Sequence, residues 1–114
     1  MVTVYLAAAL ICFQGHCYPA LVGKSTPQGS FPMEHALTLE PGYGGDIIAY
    51  AQTEDHVLAI HRIWLLGKNN HRLEAMAGPA AGRRFVTNGC INIMPEVYRS
   101  LVACCSKDSL SIQP

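Results

Sequence analysis

Charged residues are scarce in this chain, and neither sign dominates. Only 14% of the 114 residues are charged, and eight Lys and Arg balance eight Asp and Glu. A nucleic-acid-binding surface needs a clustered basic patch, and the sequence has no long basic run, so we expect no nucleic-acid partner. Long apolar runs are also missing. Because no stretch reaches the roughly twenty apolar residues of a membrane-crossing helix, we expect no transmembrane span.

The sequence also lacks Cys and His residues at the spacing of a metal site. There is no Cys-x-x-Cys pair, and His56 and His61 lie on one predicted strand at a spacing that points them to opposite faces. We therefore expect no metal and no cofactor. Half of the residues are hydrophobic, which is typical of a well-buried globular chain. This length predicts a single domain over residues 1–114, which we expect to be monomeric.

The chain has five cysteines, an odd number. If the others form bridges, at least one thiol stays unpaired. That pattern suits an oxidising compartment and one functional thiol. The alternative is a set of inert buried thiols in a cytosolic protein.

The apolar run Val2–Phe13 has the length of a signal-peptide core but lacks a preceding Lys or Arg. The residues after it make a poor cleavage site, so we interpret the run as the first strand. A hairpin with Gln14 and Gly15 as its loop follows. Its register sets Cys12 opposite Cys17, close enough either to form a disulfide or to pack as two small apolar side chains.

The remaining pattern predicts a β-rich domain with one or two short helices. Gly- and Pro-rich turns separate short apolar stretches. Because strands and helices do not alternate regularly, we do not expect a parallel doubly wound sheet. Trp64 is predicted to be a core or rim aromatic. Further strands are predicted at Pro32–Leu39, Ile47–Ala51, His56–His61 and Ser109–Ile112, and helices at His71–Ala77 and Pro95–Cys105.

The stretch around Cys90 carries the clearest chemical signal. Gly89 allows a sharp turn before Cys90, with apolar residues on either side. Such a turn exposes a sulfur and brings backbone N–H groups beside it, as a thiol nucleophile requires. The alternative is a buried free cysteine in a strand.

Three segments together resemble the L,D-transpeptidase catalytic domain family. Lys24–Phe31 resembles the family's TPxGxF segment, and Ala59-Ile60-His61 resembles its strand-end histidine. Thr87–Asn92 is similar to its [S/T]-x-G-C-[IV]-[RN] nucleophile motif, in a variant typical of a proteobacterial branch. The segments occur in the family's order and cover nearly the whole chain.

The resemblance implies a mainly β fold, a small sandwich or open barrel, and chemistry on peptidoglycan in the periplasm or cell envelope. In that chemistry Cys90 attacks the carbonyl between the third residue of a stem tetrapeptide and its terminal D-Ala. A thioester forms, and an amine of a second stem peptide resolves it to a 3→3 cross-link. Other family members transfer to a protein lysine, a D-amino acid or water. Carbapenems trap the same thioester. The alternative is an inactive extracytoplasmic module of the same fold that binds peptidoglycan or protein.

For the catalytic roles we predict Cys90 as nucleophile and His61 as base. His71 is nearer to Cys90 in sequence, but His61 ends an apolar strand. The backbone N–H groups of Gly89 and Cys90 are predicted to hold the oxyanion. A Gly89→Val variant is then expected to be inactive.

Other residues are predicted to contact substrate or line the cleft. Asn92 either anchors its loop or binds substrate. Arg83 and Arg84 either hold a stem-peptide carboxylate or belong to a solvated loop. Cys104 and Cys105 are predicted to be helix residues that do not bridge. The substrate-binding candidates are Thr87, Asn88, Asn92, Arg83, Arg84 and Tyr43, and Gly44 and Gly45 are further candidates for the cleft lining.

Overall fold

The computed structural model describes residues 1–63 and 71–114, so the prediction for Trp64 lies outside the described residues. Nine strands and two α-helices occur in the described residues. The strands are β1 (Val2–Tyr5), β2 (Leu10–Phe13), β3 (His16–Pro19), β4 (Gly29–Pro32), β5 (Glu34–Leu37), β6 (Asp46–Gln52), β7 (Val57–Arg62), β8 (Ile91–Ile93) and β9 (Ser109–Gln113). The helices are α1 (His71–Ala77) and α2 (Pro95–Cys105), with a short 3-10 helix at Ala80–Arg83.

Two mixed sheets face each other across one core. The first has the order β3-β2-β1-β9-β4 and the second the order β5-β6-β7-β8. The pairs β1–β9 and β7–β8 are parallel, and the other pairs are antiparallel. The chain passes from the first sheet to the second at the buried Met33. The predicted class, mainly β with short helices, is confirmed.

Side-chain alternation places the core between the sheets. Along β1 and β9 every second residue is buried, as expected for strands with one face covered. All three residues of β8 are buried, because helices and loops cover its other face. Helix α2 adds Tyr98 and Leu101 to the same core. The largest fully buried aliphatic side chains are Ile11, Leu21, Ile48, Ile60, Ile91, Ile93, Leu101 and Leu110.

The apolar run Val2–Phe13 forms two strands rather than the single strand predicted. The chain turns back through residues 6–9, where Ala9 has a φ of 51°, and Val4 pairs with Ile11. The turn falls on three consecutive alanines, and alanine is a weak strand former. Hydrophobicity alone did not reveal this break, because the turn residue Ala9 is itself buried.

The hairpin register around Gln14 and Gly15 is confirmed. Both loop residues have positive φ, 51° and 80°, as a tight two-residue hairpin loop requires. Cys12 pairs with Cys17 across the ladder, and their sulfur atoms are bonded.

The prediction that Cys104 and Cys105 do not bridge is wrong. The two residues end α2, and a disulfide joins them. Their Cα atoms are only 3.7 Å apart because they are neighbours in the chain. The two bridges use four of the five cysteines, so one free thiol is left.

The prediction of one strand over Pro32–Leu39 is only partly correct. Pro32 ends β4, and β5 covers Glu34–Leu37 in the other sheet, so the predicted stretch spans the crossing point between the sheets. Both predicted helices are confirmed at their predicted bounds. In the described residues, no helix has the length and apolar character to cross a membrane.

The Cys12–Cys17 bridge is expected to stabilise the β2–β3 hairpin. It closes a short loop, with a sequence separation of 5. Restricting so short a loop in the unfolded chain is worth about 2 kcal/mol. We predict that the C12A/C17A double variant loses about this free energy of unfolding in denaturant titrations. A Cys90→Ser variant, which keeps both bridges, is the control. An unchanged midpoint in the double variant would contradict the prediction.

Candidate active site

The turn before Cys90 is held by two distant hydroxyl groups. The Gly89 carbonyl accepts hydrogen bonds from the Tyr50 hydroxyl at 2.7 Å and from the Thr26 hydroxyl at 3.1 Å. Thr26 Oγ1 in turn accepts from the Gly23 N–H at 2.9 Å. Strand β6 and the loop after β3 therefore converge on one peptide group. Their hydrogen bonds fix the direction in which the chain leaves Gly89, and with it the position of Cys90.

Gly89 has a φ of 122°, a conformation that side chains rarely adopt. A Cβ there would lie 2.9 Å from the Leu58 side chain and 3.4 Å from the Ser25 carbonyl oxygen. A second glycine permits close packing of the neighbouring loop, since a Cβ on Gly23 would lie 2.0 Å from the Thr87 carbonyl oxygen. Both glycines are thus required by the backbone path.

The Gly89 N–H, which was predicted to hold the oxyanion, has a partner within the turn. This N–H donates to Thr87 Oγ1 at 3.2 Å, so it is already used within the turn. The Thr87 hydroxyl then donates to the Cys90 carbonyl at 2.6 Å. Thr87 therefore shapes the turn with the hydroxyl that was predicted to contact substrate. Of the two predicted oxyanion donors, only the Cys90 N–H is not engaged by Thr87.

Cys90 carries the free thiol of the chain, since the other four cysteines are bridged. Its sulfur lies against β7, 3.9 Å from the Val57 carbonyl oxygen. Burial raises the pKa of this thiol, while a backbone hydrogen bond from Ala59 and the charge of Arg72 act in the opposite direction. The resting thiol is therefore protonated at neutral pH and needs a base.

His61 lies in β7 with a defined tautomer. Its Nδ1 is 3.0 Å from the Arg62 carbonyl oxygen, which can only accept, so Nδ1 carries the ring proton. Nε2 keeps its lone pair and lies 3.3 Å from the Asn92 amide nitrogen. Burial lowers the pKa of His61, the Arg62 carbonyl opposes this effect, and Arg72 adds to it. The imidazole is thus neutral at rest and can accept a proton at Nε2.

Asn92 anchors the site from a fully buried position. Its backbone pairs with Leu21 through two hydrogen bonds of 2.9 Å. Its side-chain oxygen accepts from Arg72 at 2.8 Å, while its amide nitrogen faces His61. Of the two readings from sequence, anchoring agrees with these contacts, because both ends of the amide are engaged. Arg72 was not recognised as a site residue, since a single arginine on a predicted helix gives no signal.

Cys90 and His61 line the same cavity of about 270 Å³. The Tyr43 ring packs on His61 with its centroid 4.4 Å away. His71, the alternative base, is exposed beside Glu74 and does not line this cavity. The lining residues are Tyr43, His56, Val57, His61, Arg72, Thr87, Asn88, Cys90 and Asn92.

An ion pair supports the Tyr43 side of the cavity. Arg62 bonds the Asp46 carboxylate at 2.6 Å and the Tyr43 carbonyl at 2.9 Å. Burial by itself raises the pKa of Asp46, but hydrogen bonds from His35, Arg62 and Tyr98 hold it below its ordinary value. Because Arg62 also supplies the carbonyl that fixes the His61 tautomer, one residue orients both rings.

Arg83 does not take the predicted role of a carboxylate holder. It is buried, and its guanidinium donates to the carbonyls of Ala8, Ala9 and Gly78, so it joins the turn between β1 and β2 to the residue that follows α1. Arg84 packs over the Phe85 ring and lies outside the lining of the cavity.

The other predicted cleft residues divide between two cavities. Asn88 is exposed and lines the cavity that holds Cys90. Gly44 and Gly45 line a neighbouring cavity of about 600 Å³, on the far side of Tyr43. Across residues 1–63 and 71–114, no three His, Cys, Asp or Glu side chains group closely enough to hold a metal.

Comparison with known proteins identifies the fold. No protein-family model and no curated protein sequence matches the chain. Among solved structures, an L,D-transpeptidase from Mycobacterium smegmatis matches with a TM-score of 0.61 and 19% identity, over 99% of this chain. The chain has the L,D-transpeptidase fold. L,D-transpeptidase 1 from Mycobacterium tuberculosis is similar at a TM-score of 0.57 and 18% identity, also over 99% of this chain.

A third solved structure with the L,D-transpeptidase fold is the helical cell shape determining protein Pgp2 from Campylobacter jejuni. It matches 97% of this chain with a TM-score of 0.63 and 15% identity. The chain spans 58% of each mycobacterial structure and 46% of Pgp2. The likeness at these identities is one of fold.

Gly89 is expected to tolerate no side chain. We predict that Gly89→Ala lowers the free energy of unfolding by about 1–3 kcal/mol, because a residue other than glycine is strained at this φ. The control is Gly82→Ala, since a Cβ on Gly82 meets nothing within 4 Å. Denaturant titration of both variants checks the prediction, and equal stability of the two would contradict it.

Proposed function

We propose that this chain is a cysteine-dependent acyltransferase that acts on peptidoglycan stem peptides. The observation that carries the proposal is that a free thiol, Cys90, and a buried imidazole, His61, line one cavity. The shared fold with L,D-transpeptidases supports this reaction class. Two disulfides support an oxidising compartment, so we place the protein in the periplasm or cell envelope, where peptidoglycan is found.

The first half-reaction forms a thioester. His61 Nε2 accepts the Cys90 proton as the sulfur attacks the carbonyl between the third residue of a stem tetrapeptide and its terminal D-Ala. The Cys90 N–H donates to the oxyanion that develops. The imidazolium then gives its proton to the departing amine of D-Ala. The C–N bond breaks, and the acyl group stays on sulfur.

The second half-reaction runs this sequence in reverse. His61 takes a proton from the amine of a second stem peptide as that amine attacks the thioester carbonyl. The C–S bond breaks, and Cys90 recovers its proton from the imidazolium. The product is a 3→3 cross-link, and Cys90 and His61 return to their neutral resting forms.

The Asn92 amide faces the lone pair that this mechanism uses. Its 3.3 Å separation from His61 Nε2 is at the long end of the hydrogen-bond range, and this contact gives way when Nε2 accepts the thiol proton. The same contact is the one observation that favours the second candidate, a binding module of this fold without turnover. In that case Asn92 keeps the imidazole engaged and the thiol stays protonated.

Carbapenem acylation separates the two candidates. We predict that incubation with a carbapenem adds the mass of one drug molecule at Cys90, since acylation forms the same thioester. The adduct is expected to be absent in Cys90→Ser, strongly slowed in His61→Ala and unchanged in His71→Ala. Intact-protein mass spectrometry and peptide mapping measure this. No adduct on a thiol that titrates normally would favour the binding module, and loss of the adduct in His71→Ala alone would refute the assigned base.

The rate of Cys90 alkylation is expected to rise only at a more alkaline pH than for an ordinary thiol. Because burial raises the pKa of the thiol, its thiolate form should appear with a midpoint above the ordinary value of 9.0. The measurement is the rate of Cys90 alkylation by iodoacetamide as a function of pH, with Cys90→Ser as the control. A midpoint well below that value, with reactivity persisting at acidic pH, would indicate a resting thiolate–imidazolium pair and contradict neutral resting groups.

A further inference from the structure

The described lining of the cavity at Cys90 has basic side chains without an Asp or Glu to balance them. These side chains are His56, His61 and Arg72. A guanidinium carries a fixed positive charge in proteins. Residues 64–70, which precede Arg72 in sequence, contain no Asp or Glu. In the described part of the chain, Arg72 makes no salt bridge.

Arg72 is held in place by a neutral partner. One of its terminal nitrogens donates to the side-chain oxygen of Asn92, a neutral acceptor. Its helix is fixed to the protein by Met76, which packs on Leu21 and Ile63. A guanidinium has five N–H donors in a planar fork, and this bond uses one of them. The positive charge therefore faces the cavity with no acidic partner among its described lining residues.

The charge of Arg72 is felt at the reacting groups. It lowers the pKa of Cys90, of His61 and of Tyr43, although burial is the larger influence on each of the three. Arg72 and Cys90 also line the same cavity, so an anion bound at Arg72 shares that cavity with the sulfur. In a stem tetrapeptide the terminal D-Ala carboxylate is one residue from the carbonyl that Cys90 attacks, so a bound donor brings both groups into this cavity.

We propose that Arg72 binds the free α-carboxylate of the donor peptide's terminal residue and so selects peptides that end immediately after the scissile bond. This inference rests on the proposed function and assigns a specificity determinant within the same site. Guanidinium groups bind carboxylates through charge-assisted hydrogen bonds, often in pairs. A peptide that is amidated at its C-terminus, or longer by one residue, lacks a carboxylate at this place.

A first experiment tests the anion site without any turnover. Cys90 is alkylated with iodoacetate, which carries a carboxylate, and with iodoacetamide, which is neutral. The ratio of the two rates cancels changes in the thiolate fraction. We expect Arg72→Gln, which keeps a donor for Asn92, to lower the iodoacetate-to-iodoacetamide ratio about fivefold at low salt. Arg72→Lys keeps the charge and should retain most of the ratio.

The matched control is Arg99→Gln, because Arg99 is exposed on α2 and does not line this cavity. Its ratio should equal that of the unchanged protein, and added salt should lower the ratio of the unchanged protein towards that of Arg72→Gln. Thermal unfolding verifies that each variant is folded. A ratio that is the same in the folded Arg72→Gln and Arg99→Gln variants would overturn the proposal, whether or not the protein turns over peptides.

A second experiment uses tetrapeptide donors with a free or an amidated C-terminus. The unchanged protein should process the free acid at least about tenfold more efficiently, mainly through a lower KM. Arg72→Gln should remove this preference, while a purely structural role would lower kcat for both donors and leave the preference intact, which would overturn the proposal. If the alkylation ratio falls in Arg72→Gln but the unchanged protein processes neither donor peptide, the proposed function fails while the carboxylate site stands.

Discussion

Two hydroxyl groups meet on the carbonyl of Gly89, and the position of Cys90 depends on them. Tyr50 reaches this oxygen from β6 at 2.7 Å, and Thr26 reaches it from the loop after β3 at 3.1 Å. The peptide is held in a conformation open to glycine alone, with no room for a Cβ. The thiol is thereby presented by a turn that two other parts of the chain fix, rather than by the strand that follows it.

The second constraint is electrostatic. Burial disfavours both the thiolate of Cys90 and the imidazolium of His61, so each group rests in its neutral form. The proposed reaction therefore begins with a proton transfer within the cavity rather than with a preformed ion pair. The hydrogen-bonded series Arg72, Asn92 and His61 orients the base, and the Arg62 carbonyl sets its tautomer. Together these contacts fix the orientation and the tautomer of the imidazole that accepts the thiol proton in the proposed reaction.

The sequence predicted the elements well and the interactions between them poorly. Local rules were sufficient for α2, which begins at a proline and buries residues at helical spacing, and for the hairpin that joins Cys12 to Cys17. The split of Val2–Phe13 into two strands and the buried role of Arg83 were not predicted, because each depends on how local segments fold back or pack. The bridge at Cys104 was not predicted because adjacent cysteines rarely bridge. Tyr50 and Arg72 reach the site from distant elements, so no local pattern marked them.

The account depends on a neutral His61 whose Nε2 faces the Cys90 cavity. Nitrogen-15 NMR of the histidine side chains, followed through a pH titration, tests this most directly. We expect His61 to carry its proton on Nδ1, to titrate below its ordinary pKa of 6.5, and to change its Nε2 resonance when Cys90 is alkylated. A His61 that is protonated on Nε2, titrates at or above 6.5 and does not respond to alkylation would contradict the account.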